Sequence, residues 1–178
     1  MADVLAPAVA TRRGFRLRKL EVYNWGTFDS AGESTRGNVY QVEPSGETTL
    51  LIGKNGSGKS TIVDALLTLL VRPAIRNYNV AAGAKKRERD ERSYVRGAYD
   101  RRSRDDDHRA EVQYLRSGNS HSTVLLACFH NADSGRVFTL AQVLYPTSDG
   151  RIEKVYCFAP DERSIAADCS GLKSMDRL

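Results

Sequence analysis

The sequence predicts an α/β fold: one buried helix packed on a mixed sheet, with an antiparallel meander along one side. Three observations predict it. An apolar, β-branched run at 48–52 leads into a glycine-rich loop and then into a pattern of helical period. Four more strand-like runs, at 111–115, 123–130, 137–145 and 152–158, are separated by turn signals at 117–119, 133–135 and 148–150. The length, 178 residues and 19.7 kDa, suits one domain able to bury a core without a disulfide or metal staple.

Residues 1–13 show no periodicity and read as a flexible leader, which leaves 14–178 as the domain. Phe15, Leu17, Leu20 and Val22 predict a first strand, turned by Tyr23-Asn24-Trp25-Gly26. Residues 38–42 predict a short second strand. Thr48-Thr49-Leu50-Leu51-Ile52 stops at Gly53, as a buried strand would. From 59 to 71, Ile62, Leu66 and Leu69 fall on one line and Val63, Leu67 and Leu70 beside it, so the helix is expected to be buried on more than one side. Arg72-Pro73 ends it. Eighteen of the 28 residues in 84–111 are charged, ten positive and eight negative, which predicts a charged mobile loop with a helical turn around 93–99. The tail, 160–178, is polar and weakly helical.

Composition narrows the function classes. Net charge is +5 and the isoelectric point is near 9.2, compatible with a nucleic-acid partner. Part of the excess lies early, at Arg12, Arg13, Arg16, Arg18 and Lys19. Cys128, Cys157 and Cys169 form no CxxC pair, and His108, His121 and His130 share no ligand spacing with them, so reduced cysteines are expected rather than a disulfide framework or a zinc site. No apolar run approaches the length of about 20 that spans a bilayer. The first arginines follow the weak apolar stretch instead of preceding it, the reverse of a signal peptide. A cytoplasmic protein with no membrane partner is the expectation.

The chemistry lies in Gly53-Lys54-Asn55-Gly56-Ser57-Gly58-Lys59-Ser60, which satisfies GxxxxGK[ST]. A triphosphate is a dense anion, and holding it takes several N–H donors aimed at one point. Glycines let the chain wrap closely and expose those amides. The following helix, whose first turn holds Thr61, turns its positive dipole end to the same phosphates. Lys59 supplies the mobile charge for the β- and γ-phosphates, and the Ser60 hydroxyl can ligate magnesium. ATP with Mg²⁺ is the expected cofactor, with Gly53 to Thr61 its binding residues and Lys59 the catalytic one. Hydrolysis also needs a carboxylate ending an apolar strand and a group that orients water. No run of four apolar residues passes directly into Asp-Glu, Pro160 standing between the run at 155–159 and Asp161-Glu162, and no NKxD motif reads guanine. The sequence holds half of an ATPase.

GKNGSGKST at 53–61 resembles the P-loop of the ABC and SMC ATPases, and IVDALLTLL after it resembles the buried helix that follows the SMC P-loop. LRKLEVYNWGTF at 17–28 is similar to the first strand and aromatic turn of SMC heads. NWGTF at 24–28, YNVAAGA at 78–84, RSYVRGAY at 92–99 and FTLAQVLY at 138–145 resemble the MukB-like JetC subunit of Wadjet plasmid-defence systems; condensins of the MksB and MukB type are close relatives. The resemblance implies the N-terminal lobe of an SMC/ABC-type head, with the C-terminal lobe, coiled coil and hinge absent from this sequence. It implies ATP binding within a DNA-dependent, DNA-translocating and loop-extruding ATPase. The implied partners are a second SMC subunit, kleisin and kite subunits, a nuclease subunit and double-stranded DNA read without sequence preference, associated with nucleoid or plasmid. Without Walker B and signature motifs, this chain alone is expected to be inactive. The alternatives are a chromosome-organising condensin, a non-catalytic docking fragment that binds kleisin or coiled coil, and a transporter ATPase.

Other residues have both structural and functional readings. Lys85, Lys86, Arg87, Arg89 and Arg92 suit phosphate contact with DNA or simply a solvated loop. Trp25 suits a core aromatic better than an adenine contact, and Gln142 a sheet-face residue better than a magnesium-linking glutamine; Gln113 has no stronger claim.

Overall fold

Alternation between the two sheet faces begins in β1 (Arg16–Tyr23), where Leu20 and Val22 point one way and Lys19, Glu21 and Tyr23 the other; all five are buried. A strand covered on both faces belongs in the middle of a sheet. In the computed structural model, which describes residues 13–28, 39–76, 78, 90–104 and 107–169, β1 lies between β2 (Tyr40–Val42) and β5 (Thr123–Asn131). The sheet continues through β6 (Arg136–Pro146) to β7 (Ile152–Ala159), in the order β2-β1-β5-β6-β7. Every one of its ladders is antiparallel.

The β5-β6-β7 meander is the one expected from its turn signals. The run at 111–115 does something else: β4 (Asp107–Tyr114) pairs with β3 (Ala98–Arg104) as a separate two-stranded hairpin. Strands β3 and β4 correct the expectation of a mobile loop for the described part of 84–111, while the helical turn expected around 93–99 is present slightly earlier, as α2 (Glu91–Arg96). Charge density missed the local signals. Asp90 accepts from Ser93 N at 2.7 Å, while Ser93 Oγ accepts from Asp90 N at 3.1 Å, a capping box; Gly97 closes the helix in the left-handed region. Tyr94 and Val95, two apolar residues amid the charge, are buried.

Helix α1 (Lys59–Leu70) covers one face of the sheet. Ala65, with Ile62, Leu66 and Leu69, packs on Leu20, Val22, Leu125, Ala127 and Leu144. Burial of each large apolar side chain is worth about 1.5–3 kcal/mol, so this face supplies the main stabilisation. The second apolar line is not buried: Val63 and Leu70 are exposed. Arg76 ends the helix, donating to Thr68 O at 2.8 Å and Val71 O at 2.7 Å, where carbonyls lack helical partners. It also pairs with Glu91, which binds Lys154 at 2.6 Å and so joins α1, α2 and β7.

The opposite face carries Tyr23, Val124 and Leu126 under α3 (Ile165–Asp168), a short helix in the tail. The segment 48–52 departs most from expectation. It pairs with no described strand, and Leu50 and Ile52 are each 82% exposed. The parallel part that a P-loop sheet requires is therefore not found among the described residues. The expected leader, 1–13, lies outside the described residues apart from Arg13. Among the described residues, no helix is long and apolar enough to cross a membrane.

Candidate functional site

The glycine-rich loop runs from Gly53 into the first turn of α1. Ser57 N donates to Lys54 O at 3.2 Å, and Ile62 N to Gly58 O at 3.0 Å, the first helical bond. No side chain caps the helix at Gly58, so the positive end of α1 opens onto the loop. Lys59 reaches back over it, its Nζ donating to Gly53 O at 2.7 Å and Lys54 O at 2.9 Å. An ammonium resting on two loop carbonyls sits where an anion could exchange with them, because a phosphate oxygen outcompetes a neutral carbonyl for a cation.

Glycine is needed here by contact as well as by φ. Gly58 has φ +88°, and a Cβ there would lie 2.5 Å from Phe28 Cζ. At Gly53 a Cβ would lie 2.6 Å from Ser57 Oγ, a contact that rotation of the serine hydroxyl relieves. Phe28 packs in turn against Tyr40, tilted by 33° with ring centroids 4.4 Å apart, so the aromatic turn and β2 buttress the loop from one side.

The rest of that turn grips the helix. Trp25 is fully buried, donates through Nε1 to Thr61 O at 3.0 Å, and stacks on Tyr94 with centroids 4.5 Å apart. Its place is the core, and no face of it is open to a base. Tyr94 donates to Asp64, a buried carboxylate on α1. Tyr78 meets Thr68 Oγ1 at 3.0 Å; burial pushes its phenol above the usual range, and the Arg76 guanidinium 2.9 Å from its oxygen works against that shift.

The structure thus brings together Gly53, Lys54, Asn55, Gly56, Ser57, Gly58, Lys59, Ser60 and Thr61 as one continuous loop and first turn. A phosphate chain fits what they offer: an uncapped helix start, close glycine backbone and a lysine over the loop. Magnesium has only Ser60 to take up from this set, and no group of three or more His, Cys, Asp or Glu side chains among the described residues could hold a metal ion. Asp64 cannot serve, being fully buried and bonded to Tyr94.

Of the basic residues, Arg92 is exposed on α2, whereas Lys85, Lys86, Arg87 and Arg89 lie outside the described residues. Arg16 donates to Gly46 O and Arg18 pairs with Glu162, so both serve local structure. Gln142 is fully buried in β6, a sheet-face residue, and Gln113 accepts from Tyr99 Oη at 2.8 Å in the hairpin. Sequence reasoning missed Tyr94 and Arg116, hidden in and beside the charged run. An aromatic directly after the Asp90–Ser93 capping box was the available signal for the first.

Residues 17–85 match the family model for the P-loop containing region of AAA domain. The match supports a P-loop nucleotide-binding region over these residues. No curated protein matches the chain significantly.

Proposed function

We propose that this chain is the ATP-binding half of an SMC-type, DNA-translocating ATPase head, working in a Wadjet complex that restricts plasmid DNA. The observation that carries the reading is the pairing of a well-formed phosphate loop with an uncovered approach to it. Gly53–Thr61 offer the features a triphosphate needs, while the strand-like segment ahead of them exposes Leu50 and Ile52 and pairs with no described strand. A second lobe bringing parallel strands and a carboxylate would cover that segment and complete the magnesium site. The motif resemblances at 17–28, 53–70, 78–84, 92–99 and 138–145 support the SMC and Wadjet assignment, with a second SMC subunit, kleisin, kite and nuclease subunits, and double-stranded DNA as partners.

In this reading Lys59 and the loop amides hold the phosphates and Ser60 the magnesium, which when bound would neutralise charge on the β- and γ-phosphates. Arg92, with Lys85, Lys86, Arg87 and Arg89, contributes sequence-independent contacts to DNA phosphates.

Equilibrium Mg-ATP binding tests the first half. The chain binds, Lys59→Ala does not while keeping its circular dichroism spectrum, and neither turns ATP over. Lys59-dependent turnover by the chain alone would overturn the split-head reading. Plasmid retention in cells carrying the full complex tests the second half: Lys59→Ala should restore retention, and unchanged plasmid loss would sink the defence role.

A further inference from the structure

Hairpin β3–β4 leaves the body of the protein at the end of α2, and its foot returns to the flank of the phosphate loop through one side chain. Arg116, just past β4, is buried. Its Nη2 donates to Gly26 O at 2.7 Å and to Tyr94 O at 3.0 Å, and its Nε to Val95 O at 2.8 Å. Two backbone bonds close the foot: Leu115 N to Gly97 O and Arg116 N to Arg96 O, both 3.0 Å. One guanidinium therefore binds the hairpin foot, the end of α2 and the aromatic turn at once. The fit is tight. Gly97 has φ +67°, and a Cβ there would lie 2.7 Å from Arg116 Nη2 and 2.8 Å from Gly26 O.

Beyond Gly26 the path continues into α1. Gly26 N donates to Tyr94 O at 2.8 Å, a Cβ on Gly26 would lie 2.8 Å from Thr61 Cγ2, and Trp25 Nε1 holds Thr61 O. Thr61 directly follows Ser60 and Lys59. Hairpin foot, turn and phosphate loop are thus linked by groups in direct contact.

We propose that Arg116 is a positioning residue that couples the β3–β4 hairpin to the phosphate-binding loop. The inference rests on the nucleotide-binding reading. Three carbonyl oxygens converge on a planar fork of N–H donors, a geometry that lysine, a point charge, cannot reproduce. When nucleotide orders the first turn of α1, the turn at 24–28 settles against it, and Arg116 carries that ordering to the hairpin foot. Coupling of binding free energies is reciprocal, so displacement of the foot weakens nucleotide binding to the same degree.

Hydrogen exchange of the 178-residue chain, with and without Mg-ATP, tests this together with fluorescence of its single tryptophan, Trp25. Mg-ATP should slow exchange at the Leu115 and Arg116 amides in the wild type. Arg116→Lys should lose that protection, red-shift Trp25 emission and bind Mg-ATP about ten-fold more weakly. Glu21→Gln, a destabilising change on the opposite face, should lower Tm yet leave affinity and protection as in the wild type. Bound Mg-ATP with unchanged exchange at 115–116 overturns the coupling, and needs no variant to show it. Wild-type affinity in a folded Arg116→Lys protein overturns it too. If the wild type binds no Mg-ATP, the nucleotide reading itself falls and the coupling with it.

Discussion

Gln142 is fully buried on the helix-facing side of β6, between Leu125 on β5 and Tyr156 on β7, and neither its side-chain oxygen nor its nitrogen has a hydrogen-bond partner among the described residues. A buried amide without partners costs more than the apolar group that could replace it, so Gln142→Leu should stabilise the protein by about 1–3 kcal/mol. The gain would appear as a higher urea midpoint at unchanged m-value. A lower midpoint would mean that the amide is bonded after all, through water. The cysteines separate by burial in the same way. Cys157 is exposed and Cys128 buried, so at pH 8 a thiol reagent should modify Cys157 first and Cys128 only in denaturant. Burial raises the Cys128 thiol above its usual 9.0, so the native state holds a proton that the unfolded chain releases. Its contribution to stability is therefore complete below about pH 9 and declines as pH rises beyond it, which equilibrium unfolding between pH 8 and 10 would reveal.

Among the elements, the tail strap rests on one carboxylate. Glu21, buried in β1, accepts from Ile165 N at 2.6 Å and Ser164 Oγ at 3.2 Å and pairs with Lys19 at 3.0 Å. Glu21→Gln leaves a nearly buried ammonium without its main partner and should cost about 3 kcal/mol, measured as a fall in the urea midpoint. That contact joins residues more than 140 positions apart, and no local pattern announces it. What the sequence did show follows the same division. β1, α1 and the β5-β6-β7 meander were legible because each carries its own period or turn signal. The strand at 48–52 had the right composition, but a strand needs a neighbour, and neighbours are not written locally. Helix α2 was legible only as a turn around 93–99, because ten charges flanking Tyr94 and Val95 dominate any window average, although the capping box at Asp90 and Ser93 was in plain view. At the site, the loop itself was fully legible, since Gly53–Thr61 are contiguous. Its supports, Phe28, Tyr94 and Arg116, come from three separate segments.

Across the whole molecule, α1 divides a covered side from an open one. Its inner line, Ile62, Leu66 and Leu69, faces the sheet, whereas Val63 and Leu70, like Leu50, Ile52 and Ile75, are exposed. Apolar surface of this kind, next to an unpaired strand-like segment, favours association over solubility. It also separates two substitutions that composition alone would equate. The double change Leu50→Ser with Ile52→Ser removes side chains that contribute no burial, so unfolding free energy should shift by no more than about 0.5 kcal/mol. Leu125→Ala, which empties a fully buried position under α1, should cost about 2–5 kcal/mol. Sedimentation velocity should show the opposite order: the serine pair reduces self-association of the chain, and Leu125→Ala does not. A stability loss in the serine pair comparable to that of Leu125→Ala would show that 48–52 is already packed within the chain. The phosphate loop would then need no second lobe to support its leading strand, and the split-head reading would lose the observation it stands on.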